Sequence, residues 1–581
     1  MDYSYTKLFQ YFRRFLQPYW GKFFLGSSLR VIGSIVWLYN VYAFAEVVNF
    51  ITAYHSGDSL VPLYRVIILW VAAIIVRNLA IFWAKLLCLS IGWRAGLDVQ
   101  SAAVMHLSQL DISWHEKENA GNKVKRIQKG GDGISELARV WIINVIEIGV
   151  NFFGTLFIIS QFDSMLALLI IGYQIVYYVI SSAFRSRAVK VSQQVNIKEE
   201  ESTGLLFEIV SNIRSVKVFG MGVPLLQYVR EINSDLAQKI YKRIFWNHGG
   251  MLARGVWEGV ARVAFVGFVI YGILNGHYEL GFLVLFYGYF STLTDAVNEL
   301  SSVAQDVALA KANVGRLAEL FEEPITIEND NGKRAYPSEW DGIHVRDLSF
   351  MYGDVPVLSH VSLDIKKGEK VGIVGLSGAG KSTLFKLLLK ENEDYEGEIL
   401  IGDVPLRSIQ KSSYIHHVAT VLQDTEVFNM SLRNNIVLAN GGEAHNEDLF
   451  QRAITVAHVS DYLHKLPSGV ESVVGEKGVR LSGGEKQRLG IARAIFKSPD
   501  VLFLDEATSH LDVESEQKIQ DSLKHFFKDV TAVVIAHRLS TIREMDRIVV
   551  IENGSVIETG TFDELHARNG RFREFWDKQR V

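Results

Sequence analysis

The sequence predicts a multi-domain chain: an all-α membrane domain of six helices, followed by an α/β domain built around a phosphate loop. Three observations carry this. Residues 20–305 hold six long apolar stretches, whereas residues 341–581 read as an ordinary water-soluble α/β chain. The glycine-rich segment GLSGAGKS (375–382) directly follows the apolar run VGIV (371–374). Several later apolar runs each end in a polar residue. At 581 residues the chain exceeds one domain. The expected division is 1–310 for the membrane domain, 311–340 for a charged linker, and 341–581 for the second domain.

Composition narrows the classes. A net charge of −4 gives no argument for a nucleic-acid partner. The single cysteine, Cys88, excludes an internal disulfide and any multi-cysteine metal site. The N-terminal segment lacks the apolar core and cleavage site of a signal peptide. It reads as an amphipathic basic helix at a membrane surface, with Phe9, Phe12, Phe15 and Leu16 against Lys7, Arg13 and Arg14. No domain is expected ahead of the membrane part.

Spanning a bilayer takes about 20 mostly apolar residues. The candidate spans are 22–52, 62–92, 137–160, 163–184, 249–275 and 279–304. Connections 53–61, 161–163 and 276–278 are short and carry no Lys or Arg. Connections 93–136 and 185–248 are long and rich in both. Both termini and the second domain are therefore expected on the cytoplasmic side of a plasma (inner) membrane. The long connections show helical periodicity and are expected to be helices reaching tens of ångströms into the cytosol, at about 1.5 Å per residue. They are expected to turn near 111–122 and 211–222, with Trp114, His115 and Ile213–Val218 docking on the second domain. Charges inside spans are costly and need partners or water. Arg30, Arg77, Glu147, Arg254, Glu258, Arg262, Asp295 and Glu299 are such charges. They read equally well as interhelical ion pairs or as a hydrated cavity open to the cytosol. In the second reading, Arg77, Glu147, Arg254, Glu258, Arg262, Asp295 and Glu299 receive the polar head of an amphipathic substrate. The aromatic clusters around Trp37, Tyr173 and Phe286 read first as packing and interface belts.

In the second half, glycines let the loop backbone curl so that N–H groups converge, and the following helix adds its positive end. Lys381 is placed to reach the β- and γ-phosphates, and the Ser382 hydroxyl to ligate Mg²⁺. "HHVATVL" ends at Gln423, "DVLFL" at Asp505 and Glu506, and "TAVVIA" at His537. In open α/β sheets ligands sit outside the carboxyl ends of the strands. Four strands therefore deliver a phosphate cradle, a glutamine, two carboxylates and a histidine to one edge. Asp505 is placed to hold Mg²⁺ and Glu506 to orient and deprotonate the attacking water. Gln423 can complete the Mg²⁺ or water shell, and His537 can contact the γ-phosphate. The second domain is thus expected to be a P-loop ATPase using ATP and Mg²⁺.

The chain resembles the exporter-type ATP-binding cassette transporters, chiefly through "LSGGEKQR" (481–488). The resemblance covers nearly the whole chain. It implies that Tyr352 stacks on adenine. Walker A spans Gly375, Leu376, Ser377, Gly378, Ala379, Gly380, Lys381, Ser382 and Thr383. Gln423 would be the Q-loop and VVGEKG (473–478) the exporter X-loop. Ser482, Gly483 and Gly484 would present the signature, VLFLDE (501–506) would be Walker B, SHLD (509–512) with Asp512 the D-loop, and His537 the switch histidine. Two departures stand out: Glu485 where glutamine is commonest, and His510 where alanine is usual. One chain holds one cassette, so the resemblance implies a half-transporter that pairs with a second copy, a homodimer being favoured over a heterodimer. The expected partners are that copy, membrane lipid, and an amphipathic lipid, drug-like molecule or peptide moved out of the cytosol or inner leaflet. An importer of a metal chelate or vitamin on the same fold, or an ATP-gated channel, are the competing readings.

Overall fold

The computed structural model describes residues 4–579 except 119, 476, 477, 506–529 and 536–541. The chain divides into two compact units. One comprises Met1–Val104 and Gly121–Glu322; the other comprises Met105–Ala120 and Glu323–Val581.

The helices of the first half are α1 (Tyr5–Leu16), α2 (Trp20–Ala53), α3 (Val61–Gln109), α4 (Ile112–Lys117), α5 (Ala120–Arg139), α6 (Ile146–Phe162), α7 (Ser164–Ser211), α8 (Ile213–Val218), α9 (Gly222–Leu274) and α10 (Leu280–Glu322). Among the described residues, six helical stretches are long and apolar enough to cross a membrane. Helix is the form an apolar strand of chain takes when no water is at hand to satisfy its backbone. These helices far exceed the bilayer. The 53 residues of α9 extend about 80 Å, against roughly 30 Å of hydrocarbon. Their prolines do not interrupt them, because Pro62 and Pro224 fall in the first turns of α3 and α9, where the missing N–H costs nothing.

The bundle core gathers α2, α6, α7, α9 and α10 around Leu38, Ile159, Ile170, Tyr173, Phe286, Tyr289 and Phe290. Tyr289 donates to the Leu38 carbonyl at 2.8 Å, and the Tyr173 and Phe290 rings lie 5.0 Å apart. These aromatics are packing, as the sequence suggested first. Where α3 meets α5, the helices touch backbone to backbone: a Cβ on Gly131 would stand 2.8 Å from the Gly96 carbonyl oxygen. The apolar face of α1 is not left wholly to a membrane surface. Leu8, Phe15 and Leu16 are buried, Tyr11 stacks on Phe321 of α10 at 6.0 Å, and Lys7 pairs with Glu322 at 2.7 Å.

Between α5 and α6 the helix widens into a π turn at Val140–Val145. A π turn shifts the backbone pairing by one residue, so a carbonyl loses its ordinary helical donor. The Ile143 carbonyl, inside this turn, accepts from Arg30 Nε at 3.2 Å and Nη2 at 2.9 Å. Arg30 also forms an ion pair with Glu147. Its guanidinium is thereby satisfied although the residue is only 3% exposed.

In the second unit, β1 (Gly342–Tyr352) and β2 (Val355–Lys366) begin an antiparallel sheet of order β2-β1-β4-β5, completed by β4 (Glu396–Ile401) and β5 (Val404–Pro405). The main sheet has the order β12-β11-β3-β10-β9-β6. Its strands are β3 (Lys370–Val374), β6 (Val418–Val421), β9 (Val501–Asp505), β10 (Thr531–Ile535), β11 (Arg547–Glu552) and β12 (Ser555–Gly560). All its pairings are parallel except β11 with β12. The short pair β7 (Met430–Ser431) and β8 (Val473–Val474) stands apart. Among the described residues the helices are α11 (Lys381–Leu388), α12 (Lys411–His417), α13 (Leu432–Val437), α14 (Glu447–Val456), α15 (Gly483–Phe496) and two short ones at the C-terminus. One core packs α11 between the two sheets through Leu384, Phe385 and Leu388. The other packs α13 to α15 on β9 and β10.

Removing one partner of a buried ion pair leaves the other charge uncompensated, at a cost of about 3–5 kcal/mol. Arg30→Met should therefore lower the thermal midpoint of the detergent-solubilised protein markedly. The Arg30→Met, Glu147→Leu double substitution should recover much of the loss. A single mutant that melts with the wild type would show the pair to be without structural weight.

Candidate functional site

The phosphate loop is built by close packing as much as by flexibility. At Gly375 a Cβ would stand 2.2 Å from the Ile551 carbonyl oxygen of β11, so no side chain fits where the loop leaves β3. Gly380 takes φ of 102° as it enters α11, a left-handed conformation natural to glycine. The Gly554 N–H, in the β11–β12 turn, donates to the Ala379 carbonyl at 3.2 Å and braces the loop from outside. Lys381 is 6% exposed. Its ammonium donates to the carbonyls of Gly375 and Leu376, both at 2.9 Å, which holds it over the loop. Ser382 is exposed and Thr383 half-buried in the first turn of α11. There the leading N–H groups have no intrahelical acceptor.

The sheet order brings the predicted residues to one edge. β6, β9, β10 and β3 are neighbours and parallel, and register pairs Val421 with Leu504, Asp505 with Ile535, and Ile535 with Ile373. Asp505 is the last residue of β9, and Gln423 lies exposed two residues beyond β6. Glu506, His537 and Asp512 lie outside the described residues, as do His510 and the Glu476 and Lys477 of the X-loop. Tyr352 closes β1 with its ring 46% exposed and set edge-on to Phe350 at 4.9 Å.

The signature begins α15. Ser482 is its N-cap: Oγ accepts from the Glu485 N–H at 3.3 Å, and the Ser482 N–H donates to the Glu485 carboxylate at 2.8 Å. Gly483 and Gly484 occupy the first turn. The departure at Glu485 thus has a physical role. A carboxylate closes the capping box, suits the positive helix end, and pairs with Lys465 at 3.3 Å. Burial pushes the Glu485 carboxyl up, but the hydrogen bonds from Ser482 and the Lys465 charge outweigh it and leave the group below its usual range.

Sequence reading missed two contacts. Arg493, also on α15, donates to the Glu426 carbonyl at 2.6 Å and to Asn435 at 2.6 and 2.7 Å. A Cβ on Gly490 would stand 2.6 Å from Thr425 Oγ1. The signature helix and the segment after Gln423 are therefore packed as one piece. The second contact is at α4, the turn expected near 111–122. Its Glu116 pairs with Lys386 of α11 at 3.1 Å. Neither pairing has a local pattern that would betray it. The other expected turn, α8, has no buried residue, and Val218 and Phe219 nearby are 73% and 76% exposed.

The seven charges proposed for a substrate cavity meet different partners. Glu147 pairs with Arg30, and Glu258 with Arg262, whose Nη1 also donates to the Tyr287 hydroxyl at 3.1 Å. Glu299 accepts from Asn144, and Arg254 donates to the Ser181 hydroxyl at 3.1 Å. Arg77 lies over the Trp37 ring at 4.1 Å, and Asp295 is on α10, one turn before Glu299.

Two outcomes follow. Gly375→Ala forces the loop off β11 and should weaken ATP binding at least tenfold, measured by titration with a fluorescent ATP analogue; unchanged affinity would show that the loop yields without cost. Ser482→Ala should lower cassette stability by about 1 kcal/mol, the usual worth of an N-cap. The lowered Glu485 value also sets a sign. Its contribution is fully present above the unfolded value of 4.5 and is lost as pH falls through the lower folded value. The fall in melting temperature from pH 6 to pH 3 should thus be smaller in Glu485→Gln, which has no carboxyl to titrate, than in the wild type.

Residues 358–509 match the ABC transporter family and residues 23–297 match the ABC transporter transmembrane region. A Staphylococcus aureus (strain NCTC 8325 / PS 47) ATP-binding/permease protein, named for multidrug export, is 30% identical over 486 residues, 83% of this chain and 84% of its own. The ATP-dependent lipid A-core flippase of Syntrophus aciditrophicus (strain SB) is 30% identical over 496 residues, 84% of this chain and 81% of its own. Among solved structures, a bacterial Atm1-family ABC exporter with ATP bound superposes with a TM-score of 0.82 at 24% identity, covering 98% of both chains, which shows the fold. The chain belongs to the ABC transporter family: an exporter-type half-transporter, integral to the membrane, whose cassette hydrolyses ATP to drive transport.

Proposed function

We propose that two copies of this chain form a homodimeric exporter with two composite ATP sites, which moves an amphipathic substrate out of the cytosol or the inner leaflet. One observation carries the pairing. Each chain holds one phosphate loop and one signature helix, and α15 is tied through Arg493 to the segment after Gln423. A signature so held is a rigid surface that a second cassette can meet. Lys381 and the amides of α11 bind the phosphates of one ATP, and Ser482, Gly483 and Gly484 of the other copy close over it. Tyr352 offers its exposed ring to adenine.

Glu506, next to Asp505, takes the proton of the attacking water, and His537 holds the γ-phosphate end. Asp512 contacts the shared interface. Ser382, Asp505 and Gln423 supply only oxygen donors, the set that suits Mg²⁺. Among the described residues no three His, Cys, Asp or Glu side chains gather as a metal cage. Mg²⁺ keeps several waters and takes the substrate's phosphates as ligands. The metal supplies charge to the phosphates when bound.

Two relatives are named for multidrug export and for flipping lipid A-core. A lipid has a polar head and apolar tails, so the second name supports the amphipathic class. With Glu147, Glu258 and Arg262 engaged in ion pairs, the polar end of the substrate falls to Arg77, Arg254, Asp295 and Glu299. The cassettes and both termini face the cytoplasm of a plasma (inner) membrane.

Glu506→Gln should retain ATP binding and lose hydrolysis by about 10²–10⁴-fold, the usual worth of a positioned general base. Activity within threefold of wild type would remove Glu506 from that role. Mixing Lys381→Ala chains with Ser482→Arg chains should restore ATPase activity, since each mixed dimer keeps one intact composite site. Demonstrated mixed dimers without recovered turnover would count against shared sites.

A further inference from the structure

Asp111 is the N-cap of α4, where an aspartate ordinarily accepts N–H groups of its own helix. Its carboxylate makes no such bond. One oxygen accepts from the Ile327 N–H at 3.1 Å and the other from the Thr326 hydroxyl. The turn itself starts through the Asp111 carbonyl, which accepts from Trp114 at 3.0 Å and His115 at 3.3 Å. The carboxylate is therefore given wholly to the segment that follows α10.

That segment is stitched onward. Asp330 accepts from the Lys411 N–H at 2.6 Å and the Ser412 hydroxyl at 2.5 Å, and residues 334 and 410 bond backbone to backbone at 2.7 Å. Lys411, 4% exposed, passes its ammonium to the Leu389 carbonyl at 2.9 Å and to the Lys390 carbonyl, at the end of α11. A continuous chain of hydrogen bonds thus runs from α4 through residues 326–330 to the far end of the phosphate-loop helix. The direct link, Glu116 with Lys386, joins side chains that are 58% and 42% exposed. An exposed pair of that kind holds little by itself. Bonds to a carboxylate are charge-assisted and stronger than neutral ones.

We propose that Asp111 is a positioning residue: by clasping Thr326 and Ile327 it makes α4, the strap 323–336 and α11 move as one body, so that α4 follows nucleotide binding at Lys381. The proposal rests on the nucleotide reading of the phosphate loop. Hydrogen–deuterium exchange on the full-length protein in nanodiscs, with and without Mg·ATP, tests it. In the wild type ATP should slow exchange in both 375–388 and 105–120. Asp111→Ala should keep the first response, which shows a folded and loaded cassette, and lose the second. Asp111→Asn, which retains one acceptor, should keep part of it. The Asp111→Cys, Thr326→Cys pair, with Cys88 buried, should recover the response at 105–120 when oxidised and lose it when reduced. A response at 105–120 that survives Asp111→Ala, or that the disulfide fails to restore, overturns the clasp. No ATP response at either segment in the wild type overturns the nucleotide reading and the clasp with it.

Discussion

Parallel pairing of β3 with β10, and of β10 with β9, is the constraint on which the cassette depends. Parallel strands must all point the same way, so the loops that leave their carboxyl ends share one edge. The phosphate loop leaves β3 there, Asp505 ends β9 there, and Gln423 follows β6 there. β11 lies on the other side of β3 and presses its Ile551 carbonyl against Gly375. The loop is thus curved by what stands behind it as well as by its own glycines. Lys381 can be buried because the same curve turns two carbonyls toward its ammonium.

In the membrane helices the governing cost is different. A charge in hydrocarbon is tolerated when its hydrogen bonds are made inside the protein. At the π turn after Arg139 the Ile143 carbonyl accepts from Arg30, and Glu147 completes the set. Charges settled in this way hold helices together. Arg77 rests its guanidinium on the Trp37 ring.

Two short pieces of the second unit are held by tertiary bonds. α4 is only six residues long and cannot stand as an independent helix, since a single nucleated turn is unstable in water. Its position is held by tertiary bonds from Asp111 and Glu116. The same holds for the segment after Gln423, which is kept in place by Arg493 and by its contact with Gly490. Elements too short to fold alone take their shape from what they touch.

Much of this was legible in the chain. The six spans, the phosphate loop and the polar ends of β6 and β9 each rest on local pattern: apolar length, glycine spacing, an apolar run stopped by a polar residue. Those patterns act over a few residues, and the sequence displays them whole. The signature was legible only through resemblance, since nothing in SGG spacing alone names its task; the structure adds that Glu485 caps its helix. Local pattern does not show which distant residues meet. That β11 lies beside β3, that Arg30 answers the π turn 113 residues away, and that Asp111 leaves its own helix for Thr326 were decided by the tertiary structure. The physical reason is that each depends on two segments arriving at one place, and the energy of that meeting is written in neither segment by itself.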